Sequence, residues 1–119
     1  MNKQAVGLII GSVRANVAVW GDAMEYYTRT ASTSVWRDVR SSLDAERVAA
    51  WSEVFYNSAH SDLPTCAWDA ILCLIAYDDC AHMLVSDPGE LEVLAALGDT
   101  RAILLLPACK VFHQIKITA

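Results

Sequence analysis

Asp78 and His82 stand four residues apart in Tyr77-Asp78-Asp79-Cys80-Ala81-His82, the stretch of this chain whose residue types best suit acid–base chemistry. On a helix that spacing puts both side chains on one face. A carboxylate beside an imidazole can orient it as a general base, and the two together suit a divalent cation. A metal needs a third ligand, and the nearest candidates are Asp79 or a residue from another element. The plainer reading is an aspartate and a histidine hydrogen-bonded near the end of a buried helix. Adjacent aspartates in so apolar a segment are still odd, because an unpaired buried carboxylate costs on the order of several kcal/mol. Either the helix has a wet edge there, or Arg14, Arg37 or Arg101 reaches across to pair with them.

Cysteine chemistry is equally restrained. Cys66, Cys73 and Cys80 recur every seven residues, and seven residues of helix rise roughly 10.5 Å. That exceeds the ~7 Å Cα separation a disulfide tolerates, so no two of them pair within one helix. They read as small apolar side chains lining a helix contact, and Cys109 with them as reduced thiols. As a nucleophile, Cys73 or Cys80 would need an exposed thiolate and a base such as His60 or His113. There is no C-x-x-C pair to suggest zinc, and Gly7, Gly11, Gly21, Gly89 and Gly98 form no phosphate loop. The sequence thus asks for no cofactor and no metal, and it favours a non-enzymatic role.

Charge is distributed unevenly. Between Val48 and Thr100 there is no lysine or arginine but nine carboxylates: Glu53, Asp62, Asp69, Asp78, Asp79, Asp87, Glu90, Glu92 and Asp99. Residues 1–47 are nearly balanced and the last stretch carries only Arg101, Lys110 and Lys116, so the net charge of −5 arises in the middle. An acidic segment repels nucleic acid and attracts basic partners. Arg29, Arg37, Arg40 and Arg47, near Tyr26, Tyr27 and Trp36, are too few in so acidic a chain to argue for direct nucleic-acid binding.

Three functions remain. The first is a protein-binding module, adaptor or inhibitor, that docks Asp62, Asp87, Glu90, Glu92 and Asp99 on a basic surface, including that of a nucleic-acid-processing enzyme. The second is a small metal-dependent hydrolase using Asp78, Asp79 and His82, and the third a self-associating structural subunit.

The elements that must position these residues read as helices. At 119 residues with 55% hydrophobic content, the chain suits one domain, 1–119, with a real core. Val6, Ile10, Val13, Val17, Trp20, Met24 and Tyr27 form a helical stripe, with Gly7, Gly11 and Ala15 as a small-residue line that would let another backbone approach. Val35 to Arg40 is a short helix, and Asp44 caps the next, which ends near Asn57 or Ser58. Asp62-Leu63-Pro64 opens a helix from Thr65 to Val85 that is apolar nearly all round and therefore central. Asp87-Pro88-Gly89-Glu90 starts another, stopped by Gly98, and Asp99 or Thr100 caps a last one that Pro107 must break or kink. For the tail the sequence leaves strand and helix open, since Val111, His113, Ile115 and Ile117 alternate while Val111, Phe112 and Ile115 suit a helix.

The expected fold is an all-α bundle of five or six helices, with a short extended C-terminal segment as the variant. Trp20, Trp36, Trp51 and Trp68 recur every 15 to 17 residues and are expected each to bury one indole in a shared core. The opening Met1-Asn2-Lys3 and Ala5 to Ile10 lack the length and cleavage site of an export signal, and no run of 18 apolar residues suggests a membrane span. The cytosol is the expected compartment.

Overall fold

The computed structural model describes residues 2–21, 33–57 and 63–118. Its order is α1 (Lys3–Ala15), α2 (Thr33–Ser41), α3 (Ala45–Asn57), α4 (Thr65–Ala76), a 3₁₀ helix (Ala81–Val85), α5 (Pro88–Ala96) and α6 (Thr100–Thr118), and residues 17–21 are helical too. The fold is all-α, with no strand among the described residues. The Cα radius of gyration, 13.2 Å, is close to the ~13.5 Å expected of a compact chain of this length.

The apolar helix is central as expected. Ten of the twelve residues of α4 are buried, and α1, α2, α3 and α6 all pack on it. Its small side chains, Ala67, Ala70, Cys73 and Ala76, are buried at the contacts.

Helix boundaries depart from the sequence reading in three places. The helix expected from Thr65 to Val85 ends at Ala76: Tyr77 turns extended (φ −123°, ψ 122°), and the chain resumes as the 3₁₀ helix. The first helix ends at Ala15 rather than continuing to Tyr27. Asn16 leaves helical geometry, its N–H bonds Val13 O and its side-chain amide donates to Ser12 O at 3.1 Å, the competition with the helix ladder for which asparagine is known. Met24 and Tyr27 lie outside the described residues. The tail, left open between strand and helix, is helical, and Pro107 sits inside one helix that runs to Thr118. Burial there steps with a helical period: Ala108, Cys109 and Val111 are buried, and His113 and Gln114 are exposed.

The caps follow the sequence more closely. Asp44 Oδ1 accepts the Arg47 N–H at 2.9 Å at the start of α3. Pro88 occupies the first turn of α5. At the other end Gly98 takes φ +91°, its N–H bonds Ala95 O, and the Asp99 N–H reaches back to Leu94 O. This is the paired hydrogen-bond closure that needs glycine at the left-handed position, and it turns α5 back against α6. Asp99 Oδ1 then accepts the N–H groups of Arg101 and Ala102 at 2.9 and 3.2 Å. Asp99→Ala should lower stability by about 1–2 kcal/mol in urea unfolding, whereas Asp99→Asn, also a good cap, should keep most of it.

Of the four indoles, only Trp20 is fully buried. Trp36, Trp51 and Trp68 rest one side on the core and stay half-exposed. Trp51 stacks on Phe55 at a centroid distance of 5.4 Å and sits 6.2 Å from Trp68.

Candidate functional site

The break after α4 is where the chemistry-bearing residues gather. A helix end leaves carbonyls without intrahelical donors, and here other elements supply them. Asn2 Nδ2 donates to Leu74 O at 2.8 Å and to Tyr77 O at 3.1 Å. Arg47 Nε of α3 donates to Ile75 O at 3.1 Å. The Cys80 thiol donates to Tyr77 O at 3.2 Å. Two distant parts of the chain, with the turn's own Cys80 thiol, thus hold the turn at 77–80 in place.

The same turn carries Asp78 and Asp79, both exposed, so the wet edge is real. Arg47 pairs with Asp78 and, at 3.1 Å, with Asp44. Arg101 of α6 pairs with Asp79 at 3.0 Å and lies 3.7 Å from Asp99. Among the cations the sequence offered for this pairing, Arg101 does reach across. Arg47, read only as part of a basic cluster, is the partner the sequence reading missed. Its signal was its place one turn inside a helix capped by Asp44, which brings the guanidinium back to the helix start.

Asp78 and His82 do not share a helix face, because the helix that would align them has ended. Asp78 is in the turn, and His82 is in the 3₁₀ helix with its ring exposed. Among the described residues no three histidine, cysteine, aspartate or glutamate side chains converge as a metal site would require.

The acidic residues expected to bind a partner are dispersed by role. Asp62 lies outside the described residues. Asp99 is turned inward as a cap. Asp87 begins α5, and Glu90 and Glu92 stand exposed along it, Glu92 paired with Lys110 at 2.7 Å. Asp69, also from the acidic segment, is buried. What the structure leaves exposed is therefore the set at and along α5, Asp87, Glu90 and Glu92.

That set has apolar company. Leu91 is the buried residue of α5, and Ala95 packs partly buried against the same core. Turned away from it, Val93 and Leu97 are 61% and 79% exposed, Leu94 at the margin of the buried side is 38% exposed, and the preceding Val85 is 78% exposed. At 100° per residue, Glu90, Val93, Leu94 and Leu97 fall on one outward face at positions i, i+3, i+4 and i+7. The sequence gives no warning of this ridge, because α5 is apolar on both sides and no stripe distinguishes inside from outside.

A second surface feature lies between α1 and α3. Both helices rest on α4, and a groove of about 330 Å³ separates them, floored by Ile75 and walled by Gly7, Ile10 and Val54. Lys3 and Arg14 stand on its α1 side and Glu53 on its α3 side. Apart from the chain neighbours and the helix's own backbone, no atom of the described residues lies within 4 Å of a Cβ placed on Gly7 or Gly11. These two members of the small-residue line therefore meet no other helix among the described residues.

The thiols separate into two kinds. Cys66 and Cys109 donate to the Trp20 and Ser86 carbonyls at 3.9 and 3.1 Å, and burial pushes each up to about 11. Cys73 and Cys80 lie 4.0 Å apart, sulfur to sulfur. The seven-residue rise that keeps them apart applies only to a continuous helix, and the break at Ala76 removes it.

No family model, curated protein or solved structure matches this chain. No helix of the described residues is long and apolar enough to cross a membrane.

Proposed function

We propose that this chain is a non-enzymatic interaction module, an adaptor or inhibitor, that docks the outward face of α5 on a basic surface of a partner protein in the cytoplasm. The observation that carries this is the ridge Val93, Leu94 and Leu97, exposed beside Glu90 on a short helix that Asp87 begins and whose other side carries Glu92. Apolar side chains three and four residues apart, as Leu94 and Val93 are from Leu97, serve as anchors in helix-in-groove recognition, and a carboxylate beside them selects a cationic rim and steers encounter. Nucleic-acid-processing enzymes are the partner class whose basic grooves best suit such a face. The ion pairs that engage Asp78 and Asp79 favour this reading over a hydrolase built on them and His82.

The test is retention of host proteins on the tagged, reduced chain at low and high salt, compared with Leu97→Asp and Glu90→Lys. One stoichiometric partner should be retained, weakened by salt, and lost about tenfold (~1.4 kcal/mol) or more with either variant. Equal retention by wild type and both variants would reject the α5 surface.

Self-association is the second reading, favoured by the presence on one chain of an exposed apolar ridge and an open groove with Lys3 and Arg14 on its wall, which in another copy would meet Glu90. Such a contact joins two different surfaces and would build rings or open chains. Sedimentation over a range of concentration decides: a monomer throughout excludes it.

A further inference from the structure

The turn that ends α4 brings two cysteines of the same chain into contact and encloses them. Cys73 and Cys80 are each fully buried, their sulfurs 4.0 Å apart. Closing that gap to the ~2.05 Å of a disulfide asks for side-chain rotation and a small shift of the 77–80 turn. We propose that Cys73 and Cys80 are a redox-modification site, oxidised by a small hydroperoxide to an intrachain disulfide.

The surroundings assign the roles. The hydrogen bond between Cys73 and Cys80 and the nearby Arg101 guanidinium lower the Cys80 thiol against the opposing effect of burial, while the same bond and burial raise Cys73. Cys80 is therefore the attacking sulfur and Cys73 the resolving one. Burial limits the oxidant's size, since neither cysteine has exposed surface. Hydrogen peroxide, little larger than water, passes where a bulky disulfide such as oxidised glutathione does not.

The chemistry balances in two steps. The Cys80 thiolate attacks one oxygen of hydrogen peroxide, an S–O bond forms, the O–O bond breaks, and the leaving hydroxide takes the proton that the Cys80 thiol released and departs as water. Cys73 sulfur then attacks Cys80 sulfur, the S–S bond forms, the S–O bond breaks, and the hydroxyl leaves as water with the Cys73 proton. Two electrons pass from the thiols to the peroxide. Cys66 and Cys109, pushed up to about 11 by burial and without a second sulfur bonded to them among the described residues, are internal controls.

The test treats the folded full chain with stoichiometric hydrogen peroxide, blocks the remaining thiols, and reads intact mass and a peptide map. Expected are a loss of two hydrogens, a Cys73–Cys80 cross-link, and free Cys66 and Cys109, with oxidation at least ~tenfold faster at Cys80 than at either control. In Cys73→Ser, Cys80 should stop at sulfenic acid and be captured by a dimedone probe. Four free thiols after treatment, or cross-links scattered over other cysteines or between chains, would overturn the proposal. The wild-type map decides alone should the serine variant fail to fold.

Discussion

Trp20→Ala should cost about 3–5 kcal/mol of stability, the range for deleting a large buried aromatic. Domains of this size are stable by only about 5–15 kcal/mol, so a large part of the folded state's margin would go. The expectation rests on what surrounds the ring. It has no exposed surface, its Nε1 donates to Ser12 Oγ at 3.0 Å, and Phe112 of α6 meets it edge-on at 6.2 Å. Its backbone carbonyl also takes the Cys66 thiol of α4, so one residue ties three helices together. Trp20→Phe keeps a ring but strands the Ser12 hydroxyl and should cost about 1–2 kcal/mol. Trp36, Trp51 and Trp68, each half-exposed, should cost less than Trp20 when changed to alanine. Urea unfolding followed by circular dichroism gives the order, and an equal loss at all four would contradict the packing.

This ordering shows how far the sequence could be read. Four tryptophans at near-equal spacing suggest four equivalent core residues, but spacing says nothing of which face of a helix its neighbours leave uncovered. Local signals fared better. Asp44, Pro88, Gly98 and Asp99 act as caps and stops because those residues set their own backbone geometry or satisfy adjacent N–H groups. The apolar helix was legible as central because it has no polar side to expose. Its end at Ala76 was not, since no proline or glycine marks it. The donors that hold the break come from Asn2, Arg47 and Cys80, two of them distant in sequence, and only the assembled fold makes them neighbours. The site followed the same division. Asp78 and Asp79 were noticed for their type, but their partners and the approach of Cys73 to Cys80 depend on that break. The exposed ridge of α5 was invisible for the opposite reason, because an apolar residue announces burial whether or not a neighbour arrives.

Arg47→Met should cost about 1–3 kcal/mol, well beyond what exposed ion pairs are worth. The distinction lies in what the guanidinium touches. Its contacts with Asp44 and Asp78 are largely exposed, and pairs of that kind contribute up to about 1 kcal/mol. Its Nε, however, supplies Ile75 O, a carbonyl at the end of the most buried helix, where the ladder has no donor left. Removing the donor leaves that acceptor to find water inside a packed junction. Asp78→Asn should therefore be nearly neutral, within about 1 kcal/mol, although it breaks the ion pair most visible on the surface. Arg47→Lys should recover the charge but not the fork, and fall between the two. Equilibrium unfolding of the three variants separates the contributions. If Asp78→Asn proved as damaging as Arg47→Met, the surface pair rather than the helix end would be what fixes this turn, and Asp78 would regain interest as a functional carboxylate.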